Sequence, residues 1–455
     1  MTDLASIPAA RRDLDERRTT SRTLVEAALT RAADPTGEGG RAFTRLHRGQ
    51  ALAVADATDR LHSSGIQPAS PIAGLPVSVK DLFDIAGEPT TAGSRVLADA
   101  PPARRDATIV ARLRRAGAAI VGRTNMTEFA FSGLGLNPHY GTPRSPWDRA
   151  AGRIPGGSSS GAAVSVSDGM AIAAIGTDTG GSVRLPAAFC GLVGFKPTAA
   201  RIPRDGCLPL SHSLDSIGPL ARTVTDCVIV DSIISGDDAM AAIAPTPRAA
   251  ITLALPGTVL LDDLDPAVAR AFERALAHLS AAGCRIVETP LAPIARVGEL
   301  TANGGFAAAE AWAQFRTLLA SREQEFDPRV ARRMRRGEAI TGADYVDLVA
   351  ARRALVAEMN ALTEPFTAVI SPTIACLPPP IDELARDDQR YAEANMRILR
   401  NTTVANYLDR CAITLPCAAP GEPPVGLMLM GARLGDRALL AAALSVEAIL
   451  AAAWT

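Results

Sequence analysis

The chain has no excess of either charge. Its 47 Lys and Arg nearly cancel its 48 Asp and Glu over 455 residues. No global field is left to draw in a nucleic acid or an anionic membrane. Histidine is scarce: His47, His62, His139, His212 and His278 show no HExxH or other ligand spacing. Neither a metal centre nor a cofactor is therefore expected. The seven cysteines are odd in number and contain no CxxC, which suits reduced, mostly buried thiols in a cytoplasmic protein. A long apolar run is also missing. The opening MTDLASIPAARRDLDERR has no apolar signal region. The Ala/Leu-rich tail from Ala438 to Trp454 is interrupted by Glu447 and reads as a buried helix rather than a membrane span. Aromatics make up only 4% against 47% hydrophobic residues, and this aliphatic balance points to an uncharged or apolar substrate. The one basic run, Arg332, Arg333, Arg335 and Arg336, follows Glu323, Glu325 and Asp327 and reads as a solvated helix face.

What is present is an α/β rhythm. The length allows two or three ordinary domains or one large α/β domain. Residues 19–34 and 48–64 space apolar residues as helices do, with Thr and Ser cap candidates before the first. Within 71–87, Leu75, Val77 and Val79 alternate as in a strand that delivers Lys80 at its end. Residues 107–122 read as helix, Gly turn and strand. Further helices are expected at 222–234 and 265–282. Strands are expected at 250–256, 284–289, within 365–380, and at 411–417 and 425–431. Residues 125–149 are rich in Gly, Pro, Asn and Ser, and a loop of that length is often functional.

The chemistry concentrates between Gly152 and Pro197. Two serine loops lie there among apolar runs, GGSSSG at 156–161 and GTDTGGS at 176–182. Hydrolysis at a carbonyl needs a nucleophile, a base and donors for the developing oxyanion. Gly180 and Gly181 leave backbone N–H groups uncovered beside a serine, an anion-binding nest. Ser182 is therefore the candidate nucleophile, with the amides of Thr179, Gly180, Gly181 and Ser182 as oxyanion donors. The base is open between Lys80, Lys196, His139 and His212. A lysine serves only if burial lowers its pKa from about 10.4, and the apolar strand before Lys80 offers such burial. Ser158 could then carry the proton between lysine and nucleophile. A rival reading fits Gly157 to Gly161 to GxSxG and makes Ser159 the nucleophile, but that motif needs a strand before it and AAGRIP at 150–155 is not one. Asp178 and Arg184, on either side of Ser182, read as a structural pair.

These segments resemble the amidase signature family. LPVSVKDLFD, GGSSSG, GTDTGGSVRLPAAFCGLVGFKPT and SLDSIGPLARTVTD follow in that family's order. Weaker similarity runs from the N-terminal helices to NTTVANYLDRCAITLPC. The resemblance implies one α/β domain over residues 1–455, a central mixed β-sheet wrapped by helices. Residues 1–70 would supply N-terminal helices, 71–225 the signature core, and 226–455 the rest of the sheet and pocket. It implies a Ser–cisSer–Lys triad of Ser182, Ser158 and Lys80, with a cis peptide before Ser158. The segment 129–135, FAFSGLG, would line the pocket through Ala130, Phe131, Ser132 and Gly133. The expected activity is serine hydrolysis of amide-type C–N bonds through an acyl-enzyme, on a small-molecule amide, carbamate (urethane) or urea-type substrate. The sequence is also similar to glutaminase subunits of tRNA amidotransferases. Those place an aspartate just before the region matching Thr402 to Asn406, where this chain has Leu399, which argues against glutamine. A homodimer fits the sequence, a partner subunit stays open, and a non-catalytic binding protein on the same fold is opposed by the intact triad.

Overall fold

One sheet of eleven strands runs through the computed structural model, which describes residues 6–453. In chain order the strands are β1 Phe43–Leu46, β2 Pro76–Lys80, β3 Ala119–Thr124, β4 Ala173–Asp178, β5 Val193–Lys196, β6 Ser216–Ala221, β7 Thr252–Pro256, β8 Arg285–Thr289, β9 Ala368–Pro372, β10 Ala412–Pro416 and β11 Gly426–Met430. Their order across the sheet is β1-β3-β2-β4-β6-β5-β10-β11-β9-β7-β8. The pairs β3–β2, β2–β4, β9–β7 and β7–β8 are parallel and the others antiparallel. This is the mixed sheet wrapped by helices that the resemblance implies.

The period of two in a strand explains how β2 presents its lysine. Val77 and Val79 face one side and join the main apolar cluster with Ile175, Val193 and Cys227. Ser78 and Lys80 face the other. That side is covered by the helix Ser160–Ser167, and the Ser78 and Ser165 hydroxyls meet at 2.9 Å. All five residues of β2 are buried. A lysine is accommodated there because two hydroxyls receive it, Ser158 in the loop before the covering helix and Thr177 on β4.

The N-terminal segment differs from the expectation of helices alone. Residues FTRL form the edge strand β1, antiparallel to β3 with Phe43 opposite Thr124. Four residues with two polar side chains carry no readable alternation, and pairing with β3 is what makes them a strand. Local signals hold elsewhere. The Thr20 side chain accepts the Thr23 amide at the head of the helix Ser21–Ala33. Thr223 does the same for Val224–Ser235, which Gly236 ends in the left-handed region. The C-terminal helix Asp436–Ala452 packs Leu439, Leu440, Val446 and Leu450 into the main cluster. Trp454, the end of the predicted tail, lies outside the described residues. No described helix is long and apolar enough to cross a membrane.

Candidate active site

Lys80 is fully buried, and its Nζ donates to Ser158 Oγ and to Thr177 Oγ1, each at 2.8 Å. Burial disfavours the ammonium and brings its pKa down to about 7, although Cys207, Asp215 and Asp178 favour the charge. Near neutral pH the neutral amine is therefore accessible.

Ser158 follows a cis Gly157–Ser158 peptide. Its carbonyl accepts the Thr127 amide at 3.0 Å, and the Gly157 amide donates to the Gly133 carbonyl at 2.8 Å. The loop is thus fastened to the segment expected to line the pocket. Ser159 heads the helix Ser160–Ser167, and its amide donates to the Ser182 carbonyl at 3.3 Å, which joins the two serine loops. Its hydroxyl turns instead to the Thr177 carbonyl at 3.4 Å. Residues 149–151 form a short 3-10 turn rather than a strand leading into Ser159.

The second loop leaves the end of β4 and is organised by Asp178. That carboxylate accepts the Gly181 amide at 2.8 Å, the Val183 amide at 3.1 Å, Arg184 Nη2 at 2.8 Å and Asn406 Nδ2 at 3.0 Å. Gly181 has φ of 136°, and a Cβ there would stand 2.2 Å from Thr402 Oγ1, so only glycine fits. Thr402 Oγ1 donates to the Gly180 carbonyl at 2.6 Å, and Thr179 Oγ1 donates to Asp215 at 2.5 Å. Of the four amides expected as oxyanion donors, Gly181 already serves Asp178. Those of Thr179, Gly180 and Ser182 have no hydrogen-bond acceptor among the described residues. Ser182 itself is nearly buried.

Asp178 and Arg184 form a buried pair. Burial alone would raise the Asp178 pKa, but Arg184 overrides it and holds the carboxyl at about 2. Because the folded value is depressed, the pair's stabilisation is present above the ordinary carboxylate pKa and lost as pH falls toward 2. Arg184→Met strands the carboxylate and is expected to cost about 3–5 kcal/mol, read as the unfolding free energy from denaturant titration near neutral pH.

Glu128 precedes the segment 129–135 expected to line the pocket, and its buried carboxylate accepts from Ser94 Oγ at 2.6 Å and the Asp327 amide at 2.7 Å, and meets His139 Nε2 at 2.8 Å. Phe129 and Ala130 then take left-handed φ of 50° and 60°. Asn395 Oδ1 accepts both Ser132 Oγ and the Gly133 amide at 2.9 Å. Leu399 stands between this segment and the GTDTGGS loop: its side chain lies 3.1 Å from where a Gly133 Cβ would be and 3.4 Å from a Gly180 Cβ. Phe131 carries the Arg333 guanidinium over its ring at 4.8 Å.

The rival bases lie elsewhere. His139 is engaged with Glu128, and His212 is exposed. Lys196 is buried and pushed down to about 8, chiefly by desolvation, yet its Nζ donates to the Pro197 carbonyl at 2.8 Å. Among the described residues no group of three or more His, Cys, Asp or Glu could hold a metal ion. Sequence reasoning missed Thr177, Asp215, Asn395 and Thr402. Thr177 and Asp215 lie inside the motifs quoted above. Asn395 and Thr402 come from the remote helix Asp388–Tyr407; Thr402 lies in the quoted NTTVANYLDRCAITLPC, whereas Asn395 gives no local signal.

The amidase family model matches residues 23–440. A 2-amino-5-chloromuconic acid deaminase from Comamonas testosteroni is 38% identical over 405 residues, covering 88% of this chain and 87% of the relative. A glutamyl-tRNA(Gln) amidotransferase component from Chloroflexus aggregans is 33% identical, covering 97% of this chain and 96% of that protein. A crystal structure of an amidase superposes with a TM-score of 0.87 at 34% identity, over 97% of this chain and 99% of the other.

Proposed function

This chain belongs to the amidase family, and from that premise we propose that it hydrolyses a small linear amide through a Ser182–Ser158–Lys80 triad. One observation carries the reading: a fully buried lysine, with its pKa near 7, donates directly to Ser158. In the proposed sequence Ser182 Oγ attacks the amide carbonyl carbon, and its proton passes through Ser158 to neutral Lys80. The amides of Thr179, Gly180 and Ser182 receive the charge that develops on the carbonyl oxygen; one such donor is typically worth about 2.7–4 kcal/mol of barrier. The C–N bond breaks as the proton returns through Ser158 to the leaving nitrogen. Water then attacks the acyl-enzyme by the same relay and releases the acid. No metal or cofactor enters this scheme.

Amide, carbamate and urea-type carbonyls all present an electrophilic carbon bonded to nitrogen. A panel of aryl and aliphatic amides, carbamates, urea-type compounds and glutamine, scored for ammonia or amine release, separates them. Hydrolysis of amides with little action on glutamine is the expected result. Failure across all C–N substrates by folded protein would overturn the proposal.

A second reading, a glutaminase-like component of an amidotransferase, is favoured by the match to the Chloroflexus aggregans protein. Leu399 argues against it, because this apolar side chain packs beside Gly133 and Gly180 where that subfamily has an aspartate for the substrate ammonium. This reading predicts glutamine turnover, and only with partner chains present.

A further inference from the structure

The segment SLDSIGPLARTVTD supplies none of the triad, yet its first four residues, Ser213 to Ser216, hold the loop that carries Ser182. Ser216 Oγ donates to the Asp178 carbonyl at 3.1 Å, and Asn406 Nδ2 donates to the same oxygen at 3.0 Å. That carbonyl belongs to the peptide whose N–H is the Thr179 amide. In a trans peptide the carbonyl and the N–H point in opposite directions, so fixing one aims the other. Asp215 holds the same residue by its side chain: its Oδ1 accepts Thr179 Oγ1 at 2.5 Å. Its Oδ2 accepts the amides of Leu210 and Ser211 at 2.9 and 3.0 Å. Ser213 reaches the other way, and its hydroxyl and amide donate to Glu310 at 2.5 and 3.1 Å. The Glu310 carboxylate also accepts from the Ser211 hydroxyl, and from the Tyr345 hydroxyl at 2.6 Å. Glu310 lies on the helix Gly305–Arg322 and Tyr345 on Gly342–Thr363. Two helices from the later part of the chain thus anchor the segment that faces the oxyanion loop.

The Asp215 carboxylate is buried, and three hydrogen bonds but no ion pair among the described residues satisfy it. The cation that acts on it is Arg204, whose Nη1 donates instead to the His212 and Asp215 carbonyls at 2.9 and 3.2 Å. A buried carboxylate without a paired cation is a poor stabiliser, and a neutral side chain would serve the two loop amides as well. We propose that Asp215 is a positioning residue for the hydrolysis: it fixes Thr179 so that the amide of that residue faces the developing oxyanion, and its charge acts on Lys80. The proposal rests on the amide-hydrolase reading above. Asp215 is one of three groups, with Cys207 and Asp178, that favour the Lys80 ammonium against burial. The other charged groups that face this cluster are Arg204 and Asp84. Glu310, through Ser211 and Ser213, keeps Asp215 in place.

The test starts with Thr179→Val, which removes the hydroxyl and leaves the amide and the side-chain shape. It is expected to lower kcat by about 10–100-fold with KM nearly unchanged, because charge on the carbonyl oxygen develops only in the transition state. Outright loss of one donor costs about 10²–10³-fold, and a misaimed donor costs less. Thr179→Ser should restore most of the rate. Asp215→Asn keeps its hydrogen bonds by turning its amide, with the oxygen toward Leu210 and Ser211 and the nitrogen toward Thr179, but it loses the charge. Its rate limb, near pH of about 7 in the wild type, should move to lower pH, since the Lys80 ammonium loses support. A second readout needs no amide: fluorophosphonate labelling of Ser182 puts charge on a phosphoryl oxygen at the same amides, so Thr179→Val should slow it and Thr179→Ser should restore it. Undiminished kcat and labelling in folded Thr179→Val, a loss confined to KM, or an equal loss in Thr179→Ser overturns the positioning role, and these two variants decide it even if Asp215→Asn does not fold. An unmoved limb in folded Asp215→Asn overturns the action on Lys80. Slowed labelling in Thr179→Val, restored in Thr179→Ser, by a protein whose wild type turns over no C–N substrate would instead overturn the amide-hydrolase reading and leave the positioning role standing.

Discussion

Ser182→Ala is expected to remove turnover almost entirely, by about 10⁴-fold or more, while leaving the fold intact. Removing a nucleophile that acts as part of a unit is among the most costly changes in a hydrolase. Here the stability of the fold does not lean on the hydroxyl. Asp178, Arg184 and Thr402 hold the loop through backbone amides, a buried ion pair and the Gly180 carbonyl, all of which alanine leaves in place. The measurement is kcat on whichever amide the panel identifies, together with a thermal melt. Near-normal kcat with an unchanged melt would move the nucleophile elsewhere.

Lys80→Met is expected to give the second-largest loss, about 10²–10⁴-fold in kcat/KM, the usual range for a general base. The pH dependence identifies the residue. Burial disfavours its ammonium, so the neutral base predominates above pH of about 7 and the protonated form below it. The rate should therefore rise with pH through about 7 in the wild type, and the variant should lose that limb. Stability gives an independent sign. The folded pKa lies below the unfolded one, near 10.5. Between those values the folded state binds fewer protons, so stability should rise with pH across that window, and Lys80→Met should flatten the slope. A variant that keeps the wild-type limb would transfer the base to another group.

The strand that carries Lys80 was legible because Val77 and Val79 alternate with polar residues, and the loops because Gly and Ser cluster between apolar runs. What puts Lys80 within reach of Ser158 was less legible. Ser78 and Lys80 face a helix that begins at Ser160, far along the chain, and no local pattern encodes such a contact. The edge strand β1 escaped for a related reason, since four mixed residues become a strand only by pairing with β3. Arg333 was misread because charge runs are normally solvated. Its neighbours were indeed neutralised by Asp388 and Glu323, and only the three-dimensional pairing set one arginine apart.

The most direct test of the triad is to label the protein with a fluorophosphonate and locate the adduct by peptide mass spectrometry. The account predicts a single adduct on the peptide holding Ser182, formed far more slowly in Lys80→Met and Ser158→Ala. An adduct on Ser159, with labelling that survives Ser182→Ala, would contradict it.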